Sequence, residues 1–142
     1  MENSMHITWE TDYAIRIVDC LARSRERLCA QVISEKNGVT LRFSLKILSK
    51  LVAGGLVRSY KGAHGGYEIA KPLEDISLND IVETIEGPYQ LSRCLGDAHA
   101  CERNDESKCP YHRHFSRLSQ QVRAELSAIT LASILAEQGA AF

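Results

Sequence analysis

The sequence predicts a mainly α-helical fold with one small β-hairpin, followed by a cysteine-rich loop and a long helix. Apolar residues recur at steps of three and four along most of the chain, as they do on one face of a helix. A glycine-rich stretch, LVRSYKGAHGGYEIA at residues 56–70, contains two short runs that are typical of strands. Residues 94–114 hold three cysteines and three histidines without any hydrophobic periodicity.

Composition limits the class of protein. The chain has 142 residues, of which 44% are hydrophobic, and this is enough for one domain with a core plus a helical extension. No apolar run approaches the roughly 18 residues of a membrane span, and the first residues lack the basic and apolar regions of a signal peptide. We therefore expect a cytoplasmic protein with no membrane partner. Its five cysteines should stay reduced, and their clustering favours metal or redox chemistry over disulfides.

The first two helices are predicted from their caps and apolar spacing. Thr8 or Thr11 can cap the first helix, which we expect to end near Ser24. The second helix is expected to begin around Leu28 and to end at Gly38, because glycine readily adopts the left-handed conformation that terminates a helix.

A third helix is predicted after a tight glycine turn, which makes a helix-turn-helix pattern with the second. Thr40 can cap it, and Gly54 ends it. We expect four leucines to face inward: Leu41, Leu45, Leu48 and Leu51. We expect polar residues to face outward: Arg42, Lys46, Ser49 and Lys50.

Two strands are predicted next, over residues 56–60 and 67–70, with glycines in the loop between them. A hairpin that directly follows a helix-turn-helix is a wing. Ser77 can then cap a fourth helix, with Asp80 in the position of a capping box, and Gly87 ends it. The sequence thus predicts a winged helix-turn-helix DNA-binding domain over residues 5–90.

The last part of the chain predicts a long helix of about five turns from Pro110, followed by a short helix capped by Thr130. Its apolar residues step by three and four: Phe115, Leu118, Val122, Leu126 and Ile129. Because the fourth helix already closes the winged domain, we expect this face to pack against a second copy, so that residues 110–138 form the dimerisation region of a homodimer. The alternative is that the helix folds back onto its own domain.

Charge is segregated along the chain although the net charge is only −1. Residues 36–67 carry six basic residues and no acid, whereas residues 68–90 carry six acids and one lysine. A selectively positive surface is typical of proteins that contact DNA phosphates, although an ordinary solvated face is the alternative. We expect DNA contacts from four residues of the third helix and three of the wing: Thr40, Arg42, Phe43, Lys46, Lys61, Gly62 and His64.

Three segments resemble a known family. TDYAIR at residues 11–16, GGLVRSYKGAHGGYEIAKPLEDISLNDIVETIEG at 54–87 and the cysteine loop are similar to the Rrf-two superfamily of bacterial transcriptional regulators, over roughly residues 5–138. The resemblance implies a homodimer that binds a partly palindromic DNA operator and responds to changes in an iron-sulfur cluster. It supports Thr40, Arg42, Phe43 and Lys46 as major-groove residues and Lys61 and Gly62 as wing residues. Ser44 stands where an apolar residue is more usual and Leu45 where some relatives have a polar one, so the operator sequence does not follow.

The cysteine-rich loop, residues 91–112, is the expected site of an iron-sulfur cluster, either [2Fe-2S] or [4Fe-4S]. Cys94, Cys101 and Cys109 are spaced too widely for the paired knuckles of a zinc finger. Three thiolates leave a fourth position open. His112 lies one helical turn after Cys109, and the resemblance offers Asp12 from the first helix of the other subunit as a second candidate. Local geometry favours His112, and the sequence leaves both open.

Two other functions are compatible with parts of the sequence. A structural zinc site, or no metal, would leave a winged-helix DNA-binding repressor without a switch. An enzyme that uses Cys109 and His112 is disfavoured, because the chain lacks a general-base glutamate motif and a phosphate-cradling loop. Cys20 and Cys29 are expected to fill the core. The sensed signal, which the sequence leaves open, is iron, redox state or nitric oxide.

Overall fold

Six helices and one antiparallel hairpin make up the part of the chain that the computed structural model describes, residues 6–95 and 109–138. In chain order they are α1 (Trp9–Ser24), α2 (Ala30–Asn37), α3 (Leu41–Ala53), β1 (Val57–Tyr60), β2 (Gly66–Ile69), α4 (Leu78–Glu86), α5 (Pro110–Ala128) and α6 (Leu131–Gln138). Two short 3-10 helices cover Leu73–Asp75 and Arg93–Leu95. The mainly α-helical fold with a small β-wing is therefore confirmed.

The caps explain where the helices begin and end. The Thr8 hydroxyl accepts a hydrogen bond from the Thr11 N–H at 3.2 Å, so Thr8 is the cap of α1. Gly38 ends α2 with a left-handed φ of 64°. At the start of α4, the Ser77 hydroxyl accepts from the Asp80 N–H at 3.1 Å, and the Asp80 carboxylate accepts from the Ser77 N–H at 2.9 Å. The predicted capping box is present.

The second helix begins at Ala30, two residues later than expected, because Leu28 pairs with the wing instead of entering the helix. The Leu28 N–H donates to the Tyr67 carbonyl at 3.0 Å, and the Tyr67 N–H donates back to Leu28 at 2.8 Å. This isolated bridge ties the segment between α1 and α2 to β2. Cys29 consequently precedes α2 and is exposed, and Cys20 on α1 is only half-buried. The expectation that both cysteines fill the core is wrong.

One hydrophobic core joins the hairpin to α1, α2, α3, α4 and α6, and α1 supplies more of it than any other element of the described chain. The buried side chains are Ala14, Ile17, Val18, Leu21, Ala22, Ile33, Ile47, Leu48, Leu51, Leu56, Val57, Ile76, Ile81 and Leu131. Leu131 comes from α6, whose first residue donates its N–H to the Ile76 carbonyl at 2.9 Å. The last helix thus returns to the winged domain.

The third helix, α3, is rotated relative to the expected orientation. Leu41 and Leu45 are 40% and 42% exposed, whereas Ser44 and Ile47 are completely buried beside Leu48 and Leu51. The buried residues follow the spacing i, i+3, i+4, i+7, which defines one face of a helix. The buried face that contains Ile47 therefore includes position 44 and not position 45. The expectation that Leu41 and Leu45 face inward is wrong.

The long helix α5 has 19 residues and begins at Pro110 as predicted. It packs against α4, but Ser119 is its only fully buried residue among those that the structure describes. Of the predicted apolar face, Leu118, Val122 and Ile129 are 37%, 38% and 38% exposed within one chain, whereas Phe115 and Leu126 are half-buried. None of the helices in residues 6–95 and 109–138 is long and apolar enough to span a bilayer.

We predict that Ser44→Ala stabilises the fold. The Ser44 Oγ is buried without a hydrogen-bond partner among the described residues, and such a group costs about 1–3 kcal/mol of stability. Ser49→Ala is the matched control, because Ser49 is exposed on the same helix and shares the gain in helix propensity. Urea denaturation should show that Ser44→Ala exceeds Ser49→Ala by about 1 kcal/mol. Equal gains would contradict the penalty.

Candidate functional site

Of the four residues of α3 and its N-cap that are predicted to contact DNA, Thr40, Arg42 and Lys46 are exposed, whereas Phe43 is half-buried and packs against the core. The Thr40 hydroxyl accepts from the Phe43 N–H at 3.2 Å and so holds the first turn of the helix. Thr40, Arg42, Phe43 and Lys46 together line one open concavity. The structure therefore brings these four residues together on one surface, with the exposed Leu45 beside them.

An aromatic contact from α1 positions Phe43. The Tyr13 ring meets the Phe43 ring edge to face, with centroids 5.6 Å apart, and the Trp9 ring lies 6.2 Å from Tyr13. The Lys46 ammonium lies 5.7 Å from the centre of the Phe43 ring. Edge-to-face pairs are favourable because the ring edge is positive and the ring face is negative. Sequence reasoning missed this supporting role of Tyr13.

A carboxylate of α1 also reaches the recognition helix. Glu10 Oε1 lies 2.7 Å from the Lys50 Nζ and 3.9 Å from the Lys46 Nζ. The basic face of α3 is therefore partly neutralised within the chain. No sequence signal links Glu10 to these lysines, because the contact depends on how α1 and α3 cross.

The tip of the wing is exposed and made tight by glycines. Lys61, Gly62 and His64 are all exposed, and Gly62 has a left-handed φ of 94°. The Gly65 N–H donates to the Gly62 carbonyl at 3.0 Å. A side chain at Gly65 would collide with the carbonyl oxygen of Tyr60, so this turn requires glycine. The predicted wing residues lie together at the loop between β1 and β2.

Three side chains anchor the base of the wing, and sequence reasoning missed them. The Arg27 guanidinium lies 3.3 Å from the centre of the Tyr60 ring, and its Nε donates to Glu68 at 3.4 Å. The Tyr60 hydroxyl donates to the other oxygen of Glu68 at 2.6 Å. The Tyr60 hydrogen bond, followed by that of Arg27, holds the pKa of Glu68 below its ordinary value.

The ends of the cysteine loop are attached to structured parts of the chain. Cys94 lies in the 3-10 helix Arg93–Leu95 and is half-buried, with its Sγ 3.3 Å from the Ser92 hydroxyl. The Leu91 N–H donates to the Ser119 hydroxyl at 2.9 Å, which joins this segment to the middle of α5. Cys109 is half-buried and is the N-cap residue of α5. Cys101 lies outside the described residues.

His112 and Asp12, the two candidates for the fourth ligand, have different surroundings. His112 is in the first turn of α5, and its Nδ1 is buried without a hydrogen-bond partner among the described residues. Asp12 is exposed and forms an ion pair with Arg16 at 3.0 Å. Within residues 6–95 and 109–138, no three metal-ligating side chains converge, so Asp12 is not grouped with Cys109 and His112.

We predict that Tyr60→Phe raises the pKa of Glu68 toward its ordinary value, because the substitution removes the donor and keeps the ring under Arg27. Carboxyl ¹³C shifts followed against pH measure this change. A carboxyl whose pKa is lower in the folded state than in the unfolded state stabilises the fold at a pH above its unfolded-state pKa. This stabilisation is lost as the pH falls through the folded-state pKa. The stability difference from wild type should therefore fade in acid. Tyr67→Phe, in the same hairpin, should leave the Glu68 titration unchanged.

Comparisons with known proteins agree with this architecture. The chain matches the model of the Rrf2 (Rrf-two) family, described as iron-dependent transcriptional regulator, over residues 7–137. The HTH-type transcriptional regulator IscR of Serratia proteamaculans (strain 568) is 29% identical over 136 residues, which cover 94% of this chain and 81% of that protein.

Two solved structures share the fold. CymR, the global cysteine regulator of B. subtilis, superposes with a TM-score of 0.74 at 23% identity, covering 95% of this chain and 99% of that one. T. potens IscR superposes with a TM-score of 0.74 at 21% identity, covering 97% and 91%. The family model and the IscR relative are both described as transcriptional regulators. With a helix-turn-helix, a glycine-built wing and a family match along nearly its whole length, this chain belongs to the Rrf2 family of winged-helix, DNA-binding transcriptional regulators.

Proposed function

We propose that this chain forms a homodimeric transcriptional regulator that binds operator DNA and senses iron, redox state or nitric oxide through an iron-sulfur cluster. The observation that carries the proposal lies at the start of α5. Cys109 caps this helix, and one turn later His112 presents a buried ring nitrogen that has no partner among the described residues. A buried, unsatisfied nitrogen is costly, and a metal ligand role accounts for it.

The donor set fits an iron-sulfur cluster. The backbone N–H groups at a helix N-terminus favour a thiolate, which supports Cys109 as a ligand. Cys94 is anchored near the same helix through the Leu91–Ser119 hydrogen bond. With Cys101 as the third thiolate, residues 91–112 supply the sulfur donors that iron-sulfur clusters prefer. The cluster, when bound, supplies a redox-active inorganic core that oxidants or nitric oxide can modify.

We assign the fourth position to His112 rather than to Asp12 of the partner subunit. The Nδ1 of His112 is unpaired among the described residues, whereas the Asp12 carboxylate already pairs with Arg16. That ion pair is exposed on both sides and is worth little, so the assignment rests mainly on the buried nitrogen.

On this proposal the outward face of α3 enters the major groove and the wing approaches the adjacent minor groove. The Arg42 guanidinium is exposed and can donate two parallel hydrogen bonds to a guanine, and the Phe43 ring can lie against a thymine methyl. Thr40 and Lys46 then contact the flanking backbone. The wing contributes Lys61, Gly62 and His64, all of them exposed at its tip.

The exposed face of α5 supports the homodimer. Leu118 and Val122 lie one turn apart on that face, and an apolar stripe of this kind is stabilised by burial against a second copy. Leu131 of α6 returns to its own core, so within residues 110–138 the proposed interface rests on α5. The alternative, in which the long helix folds back onto its own domain, fits the packing of α5 against α4, but it leaves Leu118 and Val122 exposed.

We predict that anaerobic native mass spectrometry of the reconstituted protein shows a dimer that carries an iron-sulfur cluster. Cys94→Ala, Cys101→Ala and Cys109→Ala should each lose iron and acid-labile sulfide. Cys29→Ala is the matched control, because this thiol is exposed at the cap of α2 and should leave the loading unchanged. His112→Ala should weaken cluster retention more than Asp12→Asn. A wild-type protein without iron or sulfide contradicts the proposal, and bound zinc would support a structural metal site instead.

We predict that Arg42→Ala weakens binding to an operator selected by the wild-type protein from random duplexes. Loss of a bidentate base contact costs about 1–3 kcal/mol, or roughly 5- to 150-fold, and should relax the preference at one base pair. Lys61→Ala should weaken binding to all duplexes alike. Arg23→Ala is the control, since Arg23 is at the far end of α1 from α3 and pairs with Asp19. Fluorescence anisotropy measures all four proteins, and an unchanged Arg42→Ala affinity contradicts the assignment.

A further inference from the structure

A carboxylate lies among the cations of the recognition helix. Glu10 is only 22% exposed, and one of its oxygens lies within 4 Å of two ammonium groups, those of Lys46 and Lys50. The two lysines are one turn apart on α3 and therefore lie on the same side of the helix. The three side chains together carry a net charge of +1 instead of the +2 of the lysines alone.

The position of Glu10 is held by the fold. Glu10 is in the first turn of α1, where the positive end of the helix dipole favours an acidic side chain. Thr8 caps that turn through its hydroxyl. Three residues after Glu10, the Tyr13 ring packs on Phe43 and sets the separation between α1 and α3. The carboxylate is therefore presented to the lysines by two packed helices rather than by a loop.

A DNA phosphate would approach these same ammonium groups. Phosphate and carboxylate oxygens are both anionic acceptors, and a lysine ammonium binds either one as a point charge. Lys46 lines the concavity with Thr40, Arg42 and Phe43. Glu10, its partner in the free protein, therefore lies beside the surface that is proposed to bind DNA. A phosphate that binds there must either displace the Glu10 carboxylate from Lys46 and Lys50 or share these two lysines with it.

We propose that Glu10 is an internal competitor of DNA phosphate at Lys46 and Lys50. It lowers the affinity of the recognition helix for any duplex, whatever its sequence, and leaves base contacts such as those of Arg42 untouched. Glu10 is thus a determinant of how strongly the regulator holds non-specific DNA. This inference rests on the proposed placement of α3 in the major groove.

Glu10→Gln tests the inference, because it removes the charge and keeps the shape. Affinity for a random duplex and for the selected operator should rise by a similar factor. The slope of log affinity against log salt should become steeper by about 0.9, the value for one more neutralised phosphate. The gain should accordingly shrink by roughly three- to fourfold between 50 and 200 mM salt.

Two further variants isolate the effect. Glu137→Gln on α6 changes the net charge equally at an exposed position on another helix, and its salt slope should match wild type. The double variant Glu10→Gln/Lys50→Gln restores the local charge and should recover the wild-type slope. Thermal melting of each variant verifies that it is folded.

The outcomes separate this inference from the proposed function. A folded Glu10→Gln protein with an unchanged slope, or with weaker binding to random duplexes, overturns the competition and makes Glu10 a positioning residue for the lysines. If Arg42→Ala also leaves operator binding unchanged, then the recognition role of α3 fails instead. Loss of operator binding in Arg42→Ala together with an unchanged Glu10→Gln slope refutes the inference alone.

Discussion

Burial of the apolar face of α1 is the constraint on which the rest of the structure depends. Ile17 and Val18 are completely buried, and the helix contacts α2, α3, α4, α6 and β2. Because its middle is fixed in the core, its first turn extends along the recognition helix, where Tyr13 supports Phe43 and Glu10 meets Lys50. The core of the domain and the surface proposed for DNA are therefore set by the same helix.

The long helix α5 connects the proposed cluster site with the proposed DNA-binding surface. Cys109 and His112 are in its first turn, its exposed face is proposed for the second copy, and its end is joined to the winged domain by the bridge between Ser77 and Thr130. The Leu91–Ser119 hydrogen bond holds α5 at its middle and the Ser77–Thr130 bridge holds it just after its last residue, so a displacement at its start would be passed along the helix. On the proposed function, a change of ligation at the start of α5 alters the spacing of the two recognition helices, so that affinity for both half-sites changes together.

Local signals in the sequence predicted the elements well. The hydroxyls of Thr8, Thr40 and Ser77 each accept a hydrogen bond from an N–H group three residues later, so each cap can be found from spacing alone. The glycine turns at Gly38 and the wing follow from the same local reasoning. The placement of Thr40, Arg42, Phe43 and Lys46 on one surface was also predictable, because the side chains of a capped helix have a known angular order, and their contact with DNA stays a prediction. Their hydrogen-bonding, charged and aromatic side chains can be identified from the sequence without the fold.

The sequence by itself determined the winged-helix class, the order of its elements, and the cysteines and cations on which the proposed sites rest. Only the tertiary structure decided that Ser44 rather than Leu45 faces the core, and that Leu28 pairs with Tyr67. It likewise decided that Arg27 meets Glu68, 41 residues away. Caps and turns depend on neighbours within a few residues, whereas these contacts depend on how whole helices and strands cross. That crossing is set by the packing of the complete core, which no local pattern contains.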